Sequence, residues 1–236
     1  MCGRFVVASP PLLLAEHFTV DEVRLDVDGD GAPAPNYNVA PTDRVIAVAT
    51  HGGRRLLGAF QWGLVPSWAP DAGGGARLIN ARAETVTEKR AFRDAFARRR
   101  CIVAADGFYE WRLTAGGLKQ PVFISAASGA PLAFAGLWEV WRDRRLGQDA
   151  PPLRTCTIVT TTANSTLSPL HSRMPVVLPR STWATWLDPA VTDTGELSSL
   201  LVPLDDAGDG ALVLRDVSRA VNDVRNNGPQ LLDPVA

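Results

Sequence analysis

The strongest constraint in this sequence is its punctuation: apolar and β-branched runs are repeatedly cut short by Gly, Pro or Asp before they reach helical length. The runs at 44–49, 54–62, 100–104, 121–124, 132–138, 153–161 and 174–178 are strand-sized, and His51-Gly52-Gly53 joins the first two as a hairpin. Helices are read in two places. Ser9, Pro10 and Pro11 offer a cap and a rigid first turn for a short helix through Leu12, Leu13, Leu14 and His17, where His17 reads as structural. The segment 87–98 sets Ala91, Phe92, Ala95 and Phe96 on one face and Lys89, Arg90, Arg93 and Asp94 on the other. Strands that do not alternate with long helices predict a single α+β domain over 1–236, with a largely antiparallel, barrel-like β core flanked by short helices. Residues 28–35 read as a turn-rich loop.

Apolar residues make up 46% of the 236, enough for a substantial core. No stretch approaches the ~18 apolar residues of a membrane span, so the expected setting is the cytoplasm. Cys2, Cys101 and Cys156 are an odd, scattered set, which argues against a disulfide framework or a metal site. Cys101 and Cys156 stand in apolar runs and read as small buried hydrophobes. No metal or cofactor is expected. The net charge of −1 is unevenly spread: residues 76–112 hold nine Lys/Arg against five Asp/Glu, a local +4 that leaves −5 elsewhere. Much of the acid lies in 21–30 and in the turn with Asp205, Asp206 and Asp209, so a basic face or an ordinary solvated helix fits equally well.

Cys2 differs from the other cysteines by position. Initiator methionine is usually excised before a small residue, and a mature chain beginning at Cys2 would carry a thiol and a primary amine two carbons apart. Both titrate close enough to neutrality to have reactive fractions. An aldehyde can take both, the amine giving an imine and the sulfur closing a five-membered thiazolidine. Polar clusters end several apolar runs: Asn80-Ala-Arg82-Ala-Glu84-Thr85, Asp106-Gly-Phe-Tyr-Glu110-Trp111 and His171-Ser-Arg173-Met-Pro175. Glu110 among Phe108, Tyr109 and Trp111 is either a proton-handling group with a raised pKa or a surface carboxylate on an aromatic strand. His171 is one of three histidines, a type more often structural than catalytic. Trp62-Gly-Leu-Val-Pro66-Ser-Trp68 follows Asn36-Tyr37-Asn38-Val-Ala-Pro41-Thr42. Trp68 and Pro41 could serve as stacking surfaces for bases, although a core Trp62 and a packed loop Trp68 fit the residues alone better.

Together these segments resemble the SOS-response-associated peptidase (SRAP) family, known for shielding abasic sites by DNA-protein crosslinking. The resemblance rests on the ordered set Met1-Cys-Gly-Arg-Phe5, Asn36 to Thr42, Trp62 to Trp68, Asn80 to Thr85, Gly107-Phe-Tyr-Glu-Trp111, Phe134-Ala-Gly-Leu-Trp138, Thr160-Thr-Thr-Ala-Asn164 and His171 to Pro175. It implies that Cys2 is the crosslinking residue, that Asn80 positions the reacting sugar or N-terminus, that Glu110 moves protons and that His171 assists at the opened deoxyribose. It implies phosphate contacts from Arg4, Arg82 and Arg173, stacking at Trp68 and Pro41, and pocket-lining roles for Asn38 and Trp111. Ala104 stands where the family often has proline, and Ser172 where an acidic residue is common.

The leading expectation is capture of an abasic site in single-stranded DNA, by a protein expected to act as a monomer. The alternative is an N-terminal-nucleophile cysteine peptidase, possibly self-processing at Met1, which would turn over peptides and leave no DNA adduct. A noncatalytic single-strand binder is a third reading, and it leaves Cys2 without a purpose.

Overall fold

The computed structural model describes residues 2–25, 31–147, 150–206 and 211–235; the predicted loop at 28–35 and the acidic turn ending at Asp209 lie partly outside them. Its elements run β1 (Phe5–Val7), α1 (Pro11–His17), β2 (Glu22–Arg24), β3 (Asn36–Val39), β4 (Arg44–His51), β5 (Arg54–Trp62), β6 (Asn80–Arg82), α2 (Arg93–Arg98), β7 (Arg100–Ala105), β8 (Gly107–Leu113), β9 (Lys119–Ala126), β10 (Leu132–Trp141), β11 (Leu153–Thr162), β12 (Arg173–Pro175), α3 (Trp183–Leu187), α4 (Thr194–Ser199) and β13 (Leu212–Asp216).

They form two sheets. One is antiparallel in the order β13-β9-β8-β1-β3; the other runs β12-β11-β10-β7-β4-β5-β2. A parallel pairing of β11 with β5, Thr155 opposite Gln61 and Cys156 opposite Trp62, closes the second sheet into a ring. The expected mixed α+β fold with a mostly antiparallel, barrel-like core is therefore the one observed. The β4–β5 hairpin turns as expected: Gly52 and Gly53 take φ of 59° and 75°, a left-handed pair that only glycine adopts without steric cost.

The layers meet through aromatic rings. Phe5 of β1 lies edge-on to Trp62 of β5 at 4.9 Å and to Phe134 of β10 at 6.1 Å, and Phe108 of β8 meets Phe134 at 5.8 Å. Residues alternate between the faces of a strand, so Phe5 and Val7 point into this shared core while Val6 joins Tyr109, Phe123, Val217 and Val221 in a smaller cluster under the C-terminal segment. Truncating a buried ring such as Phe5 to alanine costs about 3–5 kcal/mol, a large share of the stability of a domain of this size. Cys101 and Cys156 are buried in the main core, and His17 packs edge-on against Phe18 and Trp183.

Two local expectations are corrected. Ser9 does not cap α1: the N-cap is Pro10, without a side-chain hydrogen bond, and Ser9 instead gives its N–H and its hydroxyl to the Asp106 carboxylate at 2.8 and 2.6 Å. The helix predicted over 87–98 begins only at Arg93. Before it the chain makes successive turns, Glu88 and Lys89 both donating to the Thr85 carbonyl, where β-branched Thr85, Val86 and Thr87 disfavour a helical start. Phe92, Ala95 and Phe96 are nevertheless buried, so the apolar face was placed rightly and the helix length was not.

Candidate functional site

The start of the chain is held on both edges. In β1, Phe5 pairs with Val39 of β3 and with Phe108 of β8. Asp106 anchors its far end by accepting from the N–H groups of Ala8 and Ser9 at 2.6 and 2.8 Å. Three residues upstream of Phe5, Cys2 is fully buried, and its carbonyl accepts a 2.8 Å hydrogen bond from Asn80 Nδ2. Asn80 is the first residue of β6, placed by parallel pairing with Ile158 of β11. Its Oδ1 is buried and has no hydrogen-bond partner among the described residues.

Alternation along β8 puts Glu110 on the barrel side with Phe108, and Tyr109 and Trp111 on the other. Glu110 is buried, which excludes the surface-carboxylate reading, and burial lifts its carboxyl to about pH 7. The Cys2 thiol is pushed well above its ordinary value, first by burial and then by the negative charge of Glu110. Cys2 and Glu110 thus form one electrostatic unit. Gly107 permits the close packing at the start of β8: a Cβ there would stand 2.4 Å from the Phe123 ring and 2.5 Å from the Ile124 carbonyl.

His171 is half-buried, and its Nδ1 accepts the Arg173 N–H at 2.9 Å, so the neutral ring presents Nε2–H. Burial lowers its pKa and favours that neutral form. Arg173 and Arg82 flank the end of β11: Thr160 pairs with Arg82 on one edge and with Pro175 on the other, and its carbonyl accepts from Arg173. The Arg82 side chain is exposed and makes no hydrogen bond or ion pair among the described residues. Arg173 is bound bidentately by Glu84 and donates to the Thr160 carbonyl.

The sequence of the SRAP family, described as SOS response associated peptidase, matches residues 1–224. The chain belongs to the SRAP family. Among SRAP relatives, it is 42% identical to "Abasic site processing protein YoaM" of Bacillus subtilis strain 168 over 99% of this chain and 98% of that one. It is 32% identical to "Abasic site processing protein YedK" of Escherichia coli strain K12 over the full length of both. A solved structure of a protein from Bacteroides thetaiotaomicron matches the SRAP fold seen here with a TM-score of 0.84, 23% identity and full coverage of both chains.

The other residues selected from the SRAP resemblance are dispersed around this cluster. Arg4 Nη1 donates to Asn38 Oδ1 at 2.7 Å and to the Val221 carbonyl at 2.8 Å. Asn38 is buried, and its Nδ2 is shared among the carbonyls of Val221, Asp223 and Asn226, so it fastens the C-terminal segment and orients Arg4. Trp111 donates to Asn222 Oδ1 at 2.7 Å. Pro41 stands in a turn whose next residue, Thr42, takes φ of 78°, a strained position for a β-branched side chain. Trp68 is 44% exposed, with the Arg90 guanidinium 4.2 Å above its ring, so it is not a packed loop residue. It borders a cavity of about 320 Å³ with Pro66 and Leu78. Trp62 is core, as the residues alone suggested. Sequence reasoning gave no role to Asp106, Asn222 or Glu84; Asp106 and Glu84 stood inside quoted motifs, whereas Asn222 carried no signal. Among the described residues there is no cluster of His, Cys, Asp and Glu suited to a metal ion, and no helix is long and apolar enough to cross a membrane.

Proposed function

We propose that this chain recognises abasic sites in single-stranded DNA and captures them covalently through Cys2, forming a thiazolidine with the ring-opened deoxyribose aldehyde. The observation that carries this reading is the Cys2–Glu110 pair: a buried thiol beside a buried carboxyl that titrates near pH 7. The relatives' names, abasic site processing proteins, support the lesion as substrate.

The reacting form requires a free α-amine on Cys2, hence loss of Met1. That amine adds to C1′ of the aldehyde and water leaves, giving an imine. The Cys2 sulfur then bonds to the same carbon while its proton passes to the imine nitrogen, closing the ring with no oxidant, reductant or metal. Because burial keeps the thiol protonated, sulfur needs a base at the moment of attack. Glu110, balanced near neutrality, accepts that proton and returns it to nitrogen. Asn80 fixes the Cys2 carbonyl, and its free Oδ1 is available to accept from the amine or from a sugar hydroxyl. His171, as a neutral Nε2–H donor, assists opening of the cyclic sugar.

Arg82, Arg173 and Arg4 would meet the flanking phosphates, and Trp68 and Pro41 would stack against the strand. Arg4 and Asn38 also hold the C-terminal segment, so their contribution to DNA is partly indirect.

The test is mass spectrometry of untagged protein incubated with an abasic oligonucleotide. The expected product is a denaturation-resistant adduct one water lighter than the sum of its parts. Turnover of peptides with no such adduct would overturn the reading in favour of a peptidase.

A further inference from the structure

Arg173 already holds an oxyanion. Its Nη1 donates to Glu84 Oε1 at 2.7 Å and its Nη2 to Glu84 Oε2 at 3.0 Å, the forked geometry that a guanidinium offers carboxylates and phosphates alike. The same Nη2 reaches the Thr160 carbonyl at 2.5 Å, so β11 fixes the arginine from within while Glu84 covers it from outside. The accessibilities agree with that arrangement: the Arg173 side chain is 15% exposed and that of Glu84 47%. Glu84 sits in a one-turn 3-10 segment, Ala83–Thr85, from which its side chain can swing into water without unfolding an element. Neighbouring Arg82 is exposed and makes no ion pair among the described residues. One cation at this edge of the barrel is thus masked, while the other is exposed and feels Glu84 only at longer range.

We propose that Glu84 is an internal phosphate mimic, occupying Arg173 until a phosphodiester of the DNA strand displaces it. Every strand that docks must exchange one oxyanion for another at Arg173, so intact DNA gains little from this contact and is released easily. A lesion-bearing strand pays the same cost once and is then retained by chemistry at Cys2. The Arg173 hydrogen bonds hold the Glu84 carboxyl below its ordinary pKa, which keeps the mimic charged.

The inference rests on the proposed meeting of Arg173 with a DNA phosphate. Its test is the affinity of an intact oligothymidylate for the full-length protein, for Glu84→Gln and for Glu88→Gln, the last an exposed acid four residues away that serves as a charge control. Glu84→Gln should bind about threefold to tenfold more tightly, and Glu88→Gln should show only a minor part of that gain. Equal gains in the two variants would reduce the effect to net charge and overturn the proposal. Unchanged or weaker binding by Glu84→Gln would overturn it too, because Glu84 would then serve only to position Arg173. Failure of the capture reading is separately visible: no adduct on an abasic strand, with the Glu84→Gln gain intact, removes the crosslink and leaves the mimic standing. Absence of oligothymidylate binding by all three proteins removes both.

Discussion

Asn80 Nδ2 donates to the carbonyl oxygen of Cys2 at 2.8 Å, a bond that ties a strand of the barrel to the start of the chain. It joins residues 78 positions apart and links directly the two motifs that the proposed chemistry needs together. Replacing Asn80 by alanine should slow adduct formation by about tenfold to a hundredfold while the protein stays folded, because a misplaced amine loses its approach geometry. Single-turnover kinetics on an abasic oligonucleotide measure this, and a wild-type rate would release Asn80 from the site.

Cys2→Ser keeps the amine and loses the sulfur, so it should trap reversibly as an imine that borohydride reduces, without the stable adduct. A variant that retains residues ahead of Cys2 should lose both products. Recovery of a thiazolidine-mass adduct from the uncleaved variant would refute the N-terminal mechanism.

Glu110→Gln should slow both formation and release of the adduct by about a hundredfold, the usual scale for loss of a positioned acid-base group. The same residue should govern stability. Its folded pKa of about 7 exceeds its ordinary value of 4.5, so between those limits the native state binds more protons than the unfolded one. Stability from this group is then fully present below pH 4.5 and is lost as pH rises through 7. Melting temperatures of Glu110→Gln should therefore fall less than wild type across that window, and identical pH profiles would contradict the assignment.

Arg82→Ala should flatten the salt dependence of single-strand binding by roughly 0.7 in the log-log slope, the share of one neutralised phosphate. Arg4→Ala behaves differently. It also breaks hydrogen bonds to Asn38 and Val221, so it should cost about 1–3 kcal/mol of stability as well as affinity. An Arg82→Ala protein with unaltered affinity and slope would take Arg82 out of the DNA-binding set.

His171→Ala should slow capture while leaving the final yield near wild type, since in the proposed mechanism the ring assists sugar opening and is not consumed. Because burial holds the imidazole neutral, this deficit should stay constant from pH 7 upward. A deficit that disappears on raising the pH would point instead to an imidazolium.

The longer barrel strands were legible because they carry β-branched or apolar runs between turn residues, as 153–161 does within Leu153–Thr162, whereas the three-residue β2 and β6 carry no such run. β1 (Phe-Val-Val) and β3 (Asn-Tyr-Asn-Val) were not legible either, since three or four residues are too short to show a period. The candidate site residues could be picked out as motifs, but their company could not. Asn38 reaches carbonyls 183 to 188 residues away in a C-terminal segment with no periodic pattern, and nothing local to Asn38 announces that partner. The Glu84–Arg173 pair spans 89 positions and was hidden for the same reason.

The setting of β1 has a mechanical corollary. If Cys2 bonds a DNA strand as proposed, tension on that strand enters the fold three residues ahead of Phe5, the first residue of a strand flanked by β3 and β8. The Asp106 carboxylate adds a further anchor at Ala8 and Ser9. A pull along that strand loads its hydrogen bonds in parallel, as shear, and they must fail together and not peel one by one. A motor advancing on the DNA would meet a rigidly moored obstacle, with the force borne by the middle of a sheet and not by a loose tail.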